Sequence, residues 1–338
     1  MATSTTTTTT TTSQVTATRT TADPATPIGT STSPHPLAYL LAPPHAQGNW
    51  ITVRDGHEVY TRTYSVPSST PLRGTVTFVH GLGEHCDRYT HIFPLLAEAG
   101  YQVHAYDQRG FGRTGIKSGS LGHTGGWDTV LGDVREAIER NTVPGKPRFL
   151  YGHSMGGIIV LDFLRRFGAE VVMNGVIVSS PAIGTPPAVK PAAPILTLLR
   201  LVKPAISWVT LTNSVDPRGL SHDDAVIAAY TSDPLVHASI SVDMGGAIIA
   251  AGDHIASLTP EQIATEFVAH TPLYFVHGDK DPITHAPTTF EFAKRAQDAG
   301  LQDVTCKRYE GMKHELHNEP ECVTDLVKGY IEWLDQRS

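Results

Sequence analysis

Residues 148–167 read RFLYGHSMGGIIVLDFLRRF, and the change of character along this stretch decides the fold. Residues 148–153 form a short apolar run of the kind buried as a strand, and residues 155–167 carry apolar side chains at helical spacing. Between them, Gly152-His153-Ser154-Met155-Gly156 compresses the passage from strand to helix into one sharp turn. A serine at that point is held in a strained backbone conformation that pushes its hydroxyl out above the sheet, and the flanking glycines let strand and helix pass where a Cβ would clash. A negative charge developing beside Ser154 would also lie at a helix N-terminus. A plainer reading, in which Ser154 only caps a helix, suits a bare five-residue match; the strand before it and the helix after it favour a nucleophile.

Outward from this turn the same rhythm repeats. Residues 74–80 (GTVTFVH), 101–107 (YQVHAYD), 172–179 and 272–278 (PLYFVHG) read as further buried strands. Helices are predicted at 89–99, 127–140, 155–167 and 287–299, several closed by a glycine such as Gly100, Gly168 or Gly300. Residues 51–66 predict a leading antiparallel pair around the turn at Arg54, Asp55, Gly56 and His57. The expected class is α/β, a mostly parallel sheet with helices on both faces. Residues 181–269 break the rhythm with Pro-rich and Ala/Gly-rich stretches and no convincing strand, so they predict a helical cap inserted into a domain spanning 49–338. Residues 1–48 are dominated by threonine and predict a disordered tail, with neither the basic start and apolar core of a secretory signal nor the arginine content of a transit peptide.

Composition bounds the function. Of 338 residues, 26 are Lys or Arg and 33 are Asp or Glu, a net charge of −7 that disfavours a nucleic-acid partner. The three cysteines make no disulfide framework and lack zinc-site spacing, and no Asn-x-Ser/Thr acceptor is present, so a cytoplasmic address is expected. The most apolar region, 194–211, is broken by Arg200, Lys203 and Pro204 and is too interrupted for a membrane span.

An elbow serine needs a base, and the expected chain order is Ser, then Asp or Glu, then His. One strand-like run ends at Gly278-Asp279-Lys280-Asp281, and another, 304–309, runs into Glu310-Gly311-Met312-Lys313-His314. Parallel strands bring their C-terminal ends to one sheet edge, which makes Asp281 and His314 the preferred partners of Ser154. Asp279 competes for the acid and His317 for the base, whereas His285 lies too close to Asp281 in sequence. The loop His80-Gly81-Leu82-Gly83-Glu84-His85 follows the first parallel strand, so the backbone amides of Leu82 and Met155 are the candidate oxyanion donors. No glycine-rich phosphate loop is present, and His314-x-x-His317 lacks a third ligand at telling spacing, so neither cofactor nor metal is expected.

Taken together, HGLGEHCDRY (80–89), DQRGFGRT (107–114), GHSMGG (152–157), YTSDPL (230–235), GDKD (278–281) and YEGMKHELHNE (309–319) resemble the α/β-hydrolase superfamily. The resemblance is closer to monoacylglycerol lipases and related lysophospholipase-like serine hydrolases, and covers nearly everything after the threonine-rich stretch. It implies an α/β-hydrolase fold and hydrolysis of a single-chain lipid ester, releasing fatty acid and, from a monoacylglycerol, glycerol. It also implies that Glu84, Arg88 and His317 hold the glycerol head and that Tyr230 lines the substrate tunnel. From the residues alone, Glu84 and Arg88 read equally well as a solvated ion pair. Residues 187–220 do not match the family's lid. Within them Ile195, Leu198, Leu199 and Val202 repeat at helical spacing, either as core or as a lid face meeting a membrane or lipid-droplet surface. Cys86, beside the oxyanion loop, reads as a buried thiol. A general carboxylesterase, lysophospholipase or acyltransferase would use the same serine, and a non-catalytic binding protein on this fold is the remaining alternative.

Overall fold

The computed structural model describes Met1 and residues 46–184, 206–212 and 215–338. The apolar repeat Ile195, Leu198, Leu199 and Val202 and nearly all of the threonine-rich stretch lie outside these residues.

The chain first forms an antiparallel pair, β1 (Ala46–Thr52) and β2 (Glu58–Tyr64), turning at Gly56 with φ 88°. Its first residue precedes the expected tail boundary at residue 48 by two. The parallel strands follow as β3 (Gly74–Val79), β4 (Tyr101–Tyr106), β5 (Arg148–His153), β6 (Gly175–Ser179), β9 (Leu273–Gly278) and β10 (Val304–Tyr309). They join one eight-stranded sheet in the order β1-β2-β4-β3-β5-β6-β9-β10, antiparallel only at β1/β2 and β2/β4. The strand order reverses at β3, next to β5, and the loops after these strands meet at one edge of the sheet.

Side chains alternate across the sheet into two cores. On β5, Phe149 and Tyr151 face the layer of α1 (Phe93–Glu98) and α9 (Val323–Asp335), where Phe93, Leu96, Tyr330 and Leu334 are buried. Leu150 faces the other layer, formed by α3 (Trp127–Asn141), α4 (Met155–Phe167) and α8 (Ala286–Asp298) with Val134, Ile159, Phe163 and Phe292. The expected helix at 89–99 is instead a 3-10 turn, Cys86–Tyr89, followed by the short α1, because Pro94 starts a new helix at its first turn. Helix α2 (Gly112–Ser118) carries too weak an apolar period to be read from sequence. Gly100 and Gly300 have the left-handed φ of helix-ending glycines, 100° and 84°. Gly168 does not, with φ −60°; a Cβ there would meet the Leu164 carbonyl oxygen at 2.5 Å, so close packing accounts for it.

Between β6 and β9 the described residues hold α5 (Asp224–Ser232), α6 (Val242–Ser257) and α7 (Pro260–Glu266), in keeping with a helical insertion. They also hold strands, contrary to expectation: β7 (Thr210–Thr212) pairs antiparallel with β8 (Ser239–Ser241). Three-residue strands are too short to show alternation in sequence. Among the described residues, no helix is long and apolar enough to cross a membrane.

Candidate active site

Ser154 lies between the last residue of β5 and the first of α4, at φ 57° and ψ −118°, a conformation rare for a residue with a side chain. The surrounding structure holds it there. The Ser154 amide donates to the Ser179 carbonyl at 3.0 Å, and its carbonyl accepts from Gly157 at 2.9 Å and Ala182 at 3.1 Å. A Cβ on Gly152 would come within 2.3 Å of the Gly156 oxygen, and one on Gly156 within 2.0 Å of the Val79 oxygen, so both glycines are sterically required.

Asp281, past the end of β9, has a fully buried side chain and is heavily bonded. Its Oδ2 accepts from His314 Nδ1 at 2.6 Å, from Thr284 Oγ1 at 2.7 Å and from His277 Nε2 at 2.9 Å. Oδ1 accepts from the backbone amides of Ile283 and Thr284 at 2.7 and 3.0 Å. Burial alone would raise the Asp281 pKa, but His314 and His277 outweigh it and hold the carboxyl well below its usual range. Asp279, its competitor, accepts from the Gly311 amide at 2.8 Å and so closes the turn after β10. His314 is buried too. Burial would lower its pKa, yet Asp281, with Glu315 and Glu84 nearby, raises it above 6.5. Because Nδ1 faces Asp281, Nε2 is the nitrogen left to serve as a base.

Three residues that the sequence did not single out support this pair. Ser180, also at positive φ (43°), donates its hydroxyl to the His314 carbonyl at 2.8 Å. Thr284 and His277 converge on Asp281 as described. Ser180 and Thr284 carry no sequence signal beyond ordinary loop residues, and His277 reads as a strand residue.

Gly81, Leu82, Ser154, Met155 and His314 line one cavity of about 320 Å³, within the usual range for small-molecule sites. The described part of the insertion closes it with Leu220, Tyr230 and Ile248 among others. Glu84, Arg88 and Glu315 line the same cavity. They are not a solvated pair. Glu84 Oε1 accepts from the Gly81 amide at 2.5 Å and from Tyr89 Oη at 2.8 Å, and Oε2 from Arg88 Nη1 at 2.9 Å. Arg88 also binds Glu315 and lies under the Tyr230 ring at 4.8 Å. Glu315 was missed by residue reasoning, although it stands next to His314 inside a motif already noted. His317 is placed differently from Glu84, Arg88 and Tyr230. It is buried at 1% exposure, stacked on Tyr89 at 4.3 Å and edge-on to His153 at 4.9 Å, and is not among the residues lining the cavity. Burial, then His91, Arg88 and His314, push its pKa well down, so it is neutral. Cys86 is fully buried and its thiol pKa is raised by burial and by Asp107 and Asp87, so it is an inert thiol. Among the described residues, no cluster of three or more His, Cys, Asp or Glu has metal-binding geometry.

The sequence profile of the serine aminopeptidase, S33 family matches residues 70–321. An uncharacterised abhydrolase domain-containing protein of Dictyostelium discoideum is 35% identical over 85% of this chain, which spans only 29% of that relative's length. A monoacylglycerol lipase of Mycolicibacterium smegmatis is 33% identical over 82% of this chain and 93% of its own. Among solved structures, a soluble variant of the Saccharomyces cerevisiae monoglyceride lipase, bound to a substrate analogue, shares the fold. Its TM-score is 0.78 at 24% identity, over 88% of this chain and 97% of that one. The chain belongs to the serine aminopeptidase, S33 family of α/β-hydrolases and is a monoacylglycerol lipase-like serine hydrolase within it.

Proposed function

We propose that this chain hydrolyses the ester bond of monoacylglycerols. The observation that carries the reading is that Glu84 and Arg88 line the same cavity as Ser154 and His314, so a polar head and a scissile ester have adjoining places. In this mechanism His314 Nε2 takes the proton of Ser154 Oγ as the oxygen attacks the ester carbonyl. The amides of Leu82 and Met155, at a glycine loop and a helix N-terminus, stabilise the oxyanion. Asp281 keeps His314 in the tautomer with Nδ1 protonated and stabilises the imidazolium. The imidazolium then protonates the departing glycerol oxygen. Water, deprotonated by the same nitrogen, attacks the acyl-serine and releases the fatty acid. Glu84 and Arg88, the latter through an Nε without a partner among the described residues, hold the glycerol hydroxyls, Tyr230 walls the channel, and His317 supports the head-group end from behind His153 and Tyr89.

The substrate is a single-chain lipid ester. The reading places the protein in the cytoplasm, where its free cysteines fit a reducing environment. It docks peripherally on a membrane or lipid-droplet surface through the insertion, whose described part exposes Trp208 (71%) and Leu211 (54%).

Glycerol release from 1-monooleoylglycerol, run beside 4-nitrophenyl butyrate and a Ser154→Ala control, tests the reading. Fast glycerol release lost in the variant is expected. Turnover of the butyrate alone would move the protein to the general carboxylesterases, and silence on both from folded protein would favour a binding role.

A further inference from the structure

An arginine in a lipid-ester pocket is ordinarily an anion receptor, because its Nη1/Nη2 fork matches phosphate or carboxylate oxygens two at a time. In this chain that fork is already occupied. Arg88 Nη1 meets Glu315 Oε1 at 2.5 Å and Nη2 meets Oε2 at 2.8 Å, while Nη1 also meets Glu84 Oε2 at 2.9 Å. Glu315 is itself fixed by Asn318 Nδ2 at 2.7 Å, and one face of the guanidinium is covered by Tyr230. All three charged groups are buried, with Arg88 and Glu315 at 2% exposure and Glu84 at 3%. Two carboxylates against one guanidinium leave the head-group end with one net negative charge.

We propose that Glu315 makes this end of the cavity exclude anionic head groups, so that the site takes single-chain esters with neutral polyol or cationic heads and rejects those carrying phosphate or carboxylate. This rests on the monoacylglycerol reading and deepens it. The neighbouring groups do not reverse the balance. Burial pushes the pKa values of His153, His317 and His91 down, which keeps those rings neutral, and Asp281 adds further negative charge beside His314. Burial would also neutralise Glu315, but the Arg88 charge holds its pKa below the ordinary value and keeps it ionised. Spare lone pairs on the two carboxylates accept hydroxyl or ammonium hydrogens and have nothing to offer a phosphate oxygen. The selectivity therefore comes from a built-in repulsive element. Glu315 is a positioning residue: it acts through Arg88 and through charge.

The test compares kcat/KM for 1-oleoylglycerol, 1-oleoylglycerol 3-phosphate and oleoylcholine, all presented in the same neutral detergent micelles. The native protein is expected to favour the neutral over the phosphorylated ester by about tenfold or more, and to hydrolyse oleoylcholine at least as well as 1-oleoylglycerol. Glu315→Gln is expected to shrink the neutral-to-anionic ratio about tenfold, chiefly through KM for the phosphorylated ester, while Glu315→Asp restores the native ratio. A native ratio near one, or a ratio unmoved in Glu315→Gln, overturns the proposal. Should Glu315→Gln fail to fold, the native three-substrate series decides by itself. Equal turnover of neutral and anionic esters sinks this inference alone, whereas turnover of 4-nitrophenyl butyrate with none of the oleoyl esters sinks the monoacylglycerol reading together with it.

Discussion

Replacing Asp281 by asparagine removes one charge and one acceptor with almost no change of volume, and the local bonding dictates the result. Oδ1 accepts two backbone amides at 2.7 and 3.0 Å, and Oδ2 accepts from His314, Thr284 and His277 at 2.6, 2.7 and 2.9 Å. Asparagine offers one oxygen, and the two amides, fixed by the backbone, claim it. Its NH2 then faces His314 Nδ1, which must give up its hydrogen and accept. The imidazole is forced into the tautomer with Nε2 protonated, so it cannot take the serine proton, and an imidazolium formed there has lost its buried counter-charge. Loss of the correct tautomer and of that stabilisation is worth about 4–5 kcal/mol, or roughly 10³–10⁴ in kcat. The lost charge-assisted hydrogen bonds destabilise the fold by about 2–4 kcal/mol. The assay is steady-state hydrolysis of 1-oleoylglycerol at pH 8, with circular dichroism and thermal melting to establish that the variant is folded. Asp279→Asn, run in parallel, removes the charge but keeps an oxygen that can accept from the Gly311 amide, and is expected to keep kcat within about threefold. An Asp281→Asn loss of less than tenfold, or a larger loss in Asp279→Asn, would refute the assignment of the acid.

His314 must be neutral to act as base, and its pKa lies above 6.5, so the acid limb of kcat/KM is expected at a pH above 6.5. In Glu315→Gln that limb moves down, because a negative neighbour has gone; a limb that stays in place or moves up would contradict the electrostatics. The depressed Asp281 pKa contributes stability that is present above about pH 4 and is lost as pH falls through its folded value, so acid unfolding should be shallower in Asp281→Asn, as read by circular dichroism. Gly156→Ala puts a methyl group 2.0 Å from the Val79 oxygen and 2.7 Å from that of His80. It should cost about 1–3 kcal/mol in melting experiments, with an activity loss exceeding it because the displaced strand end leads into the loop that carries Leu82. Trp208→Ser with Leu211→Ser should weaken flotation with neutral vesicles severalfold while leaving hydrolysis of soluble 4-nitrophenyl butyrate unchanged; unaltered flotation would remove this part of the insertion from the docking surface.

Much of the site was legible because its chemistry is local. The elbow is a continuous stretch whose strand, turn and helix each carry their own period, and its glycines have steric reasons that hold at short range. The ends of β9 and β10 announced an acid and a histidine because parallel strands deliver their C-terminal loops to one edge. The choice between Asp281 and Asp279 was another matter. Two carboxylates two residues apart are alike in composition and differ in how the loop folds around them: His277 and Thr284 reach Asp281 from four and three positions away, and His314 from 33. Glu84 and Arg88 showed the same limit: four residues apart they predict an ion pair, but whether that pair sits in water or under a cap depends on Tyr230, 142 positions beyond Arg88.

The amino-acid sequence by itself determined the α/β architecture, the strained serine between β5 and α4, and the chain order in which Ser154, Asp281 and His314 reach one sheet edge, because periodicity, glycine sterics and strand-end position act over a few residues. Only the tertiary structure decided that Glu315 occupies the Arg88 fork, that His317 is buried behind His153 and Tyr89, and that β7 and β8 pair within the insertion. Those outcomes depend on which distant surfaces come into contact and exclude water, and both desolvation and hydrogen-bond partnership are properties of the packed chain.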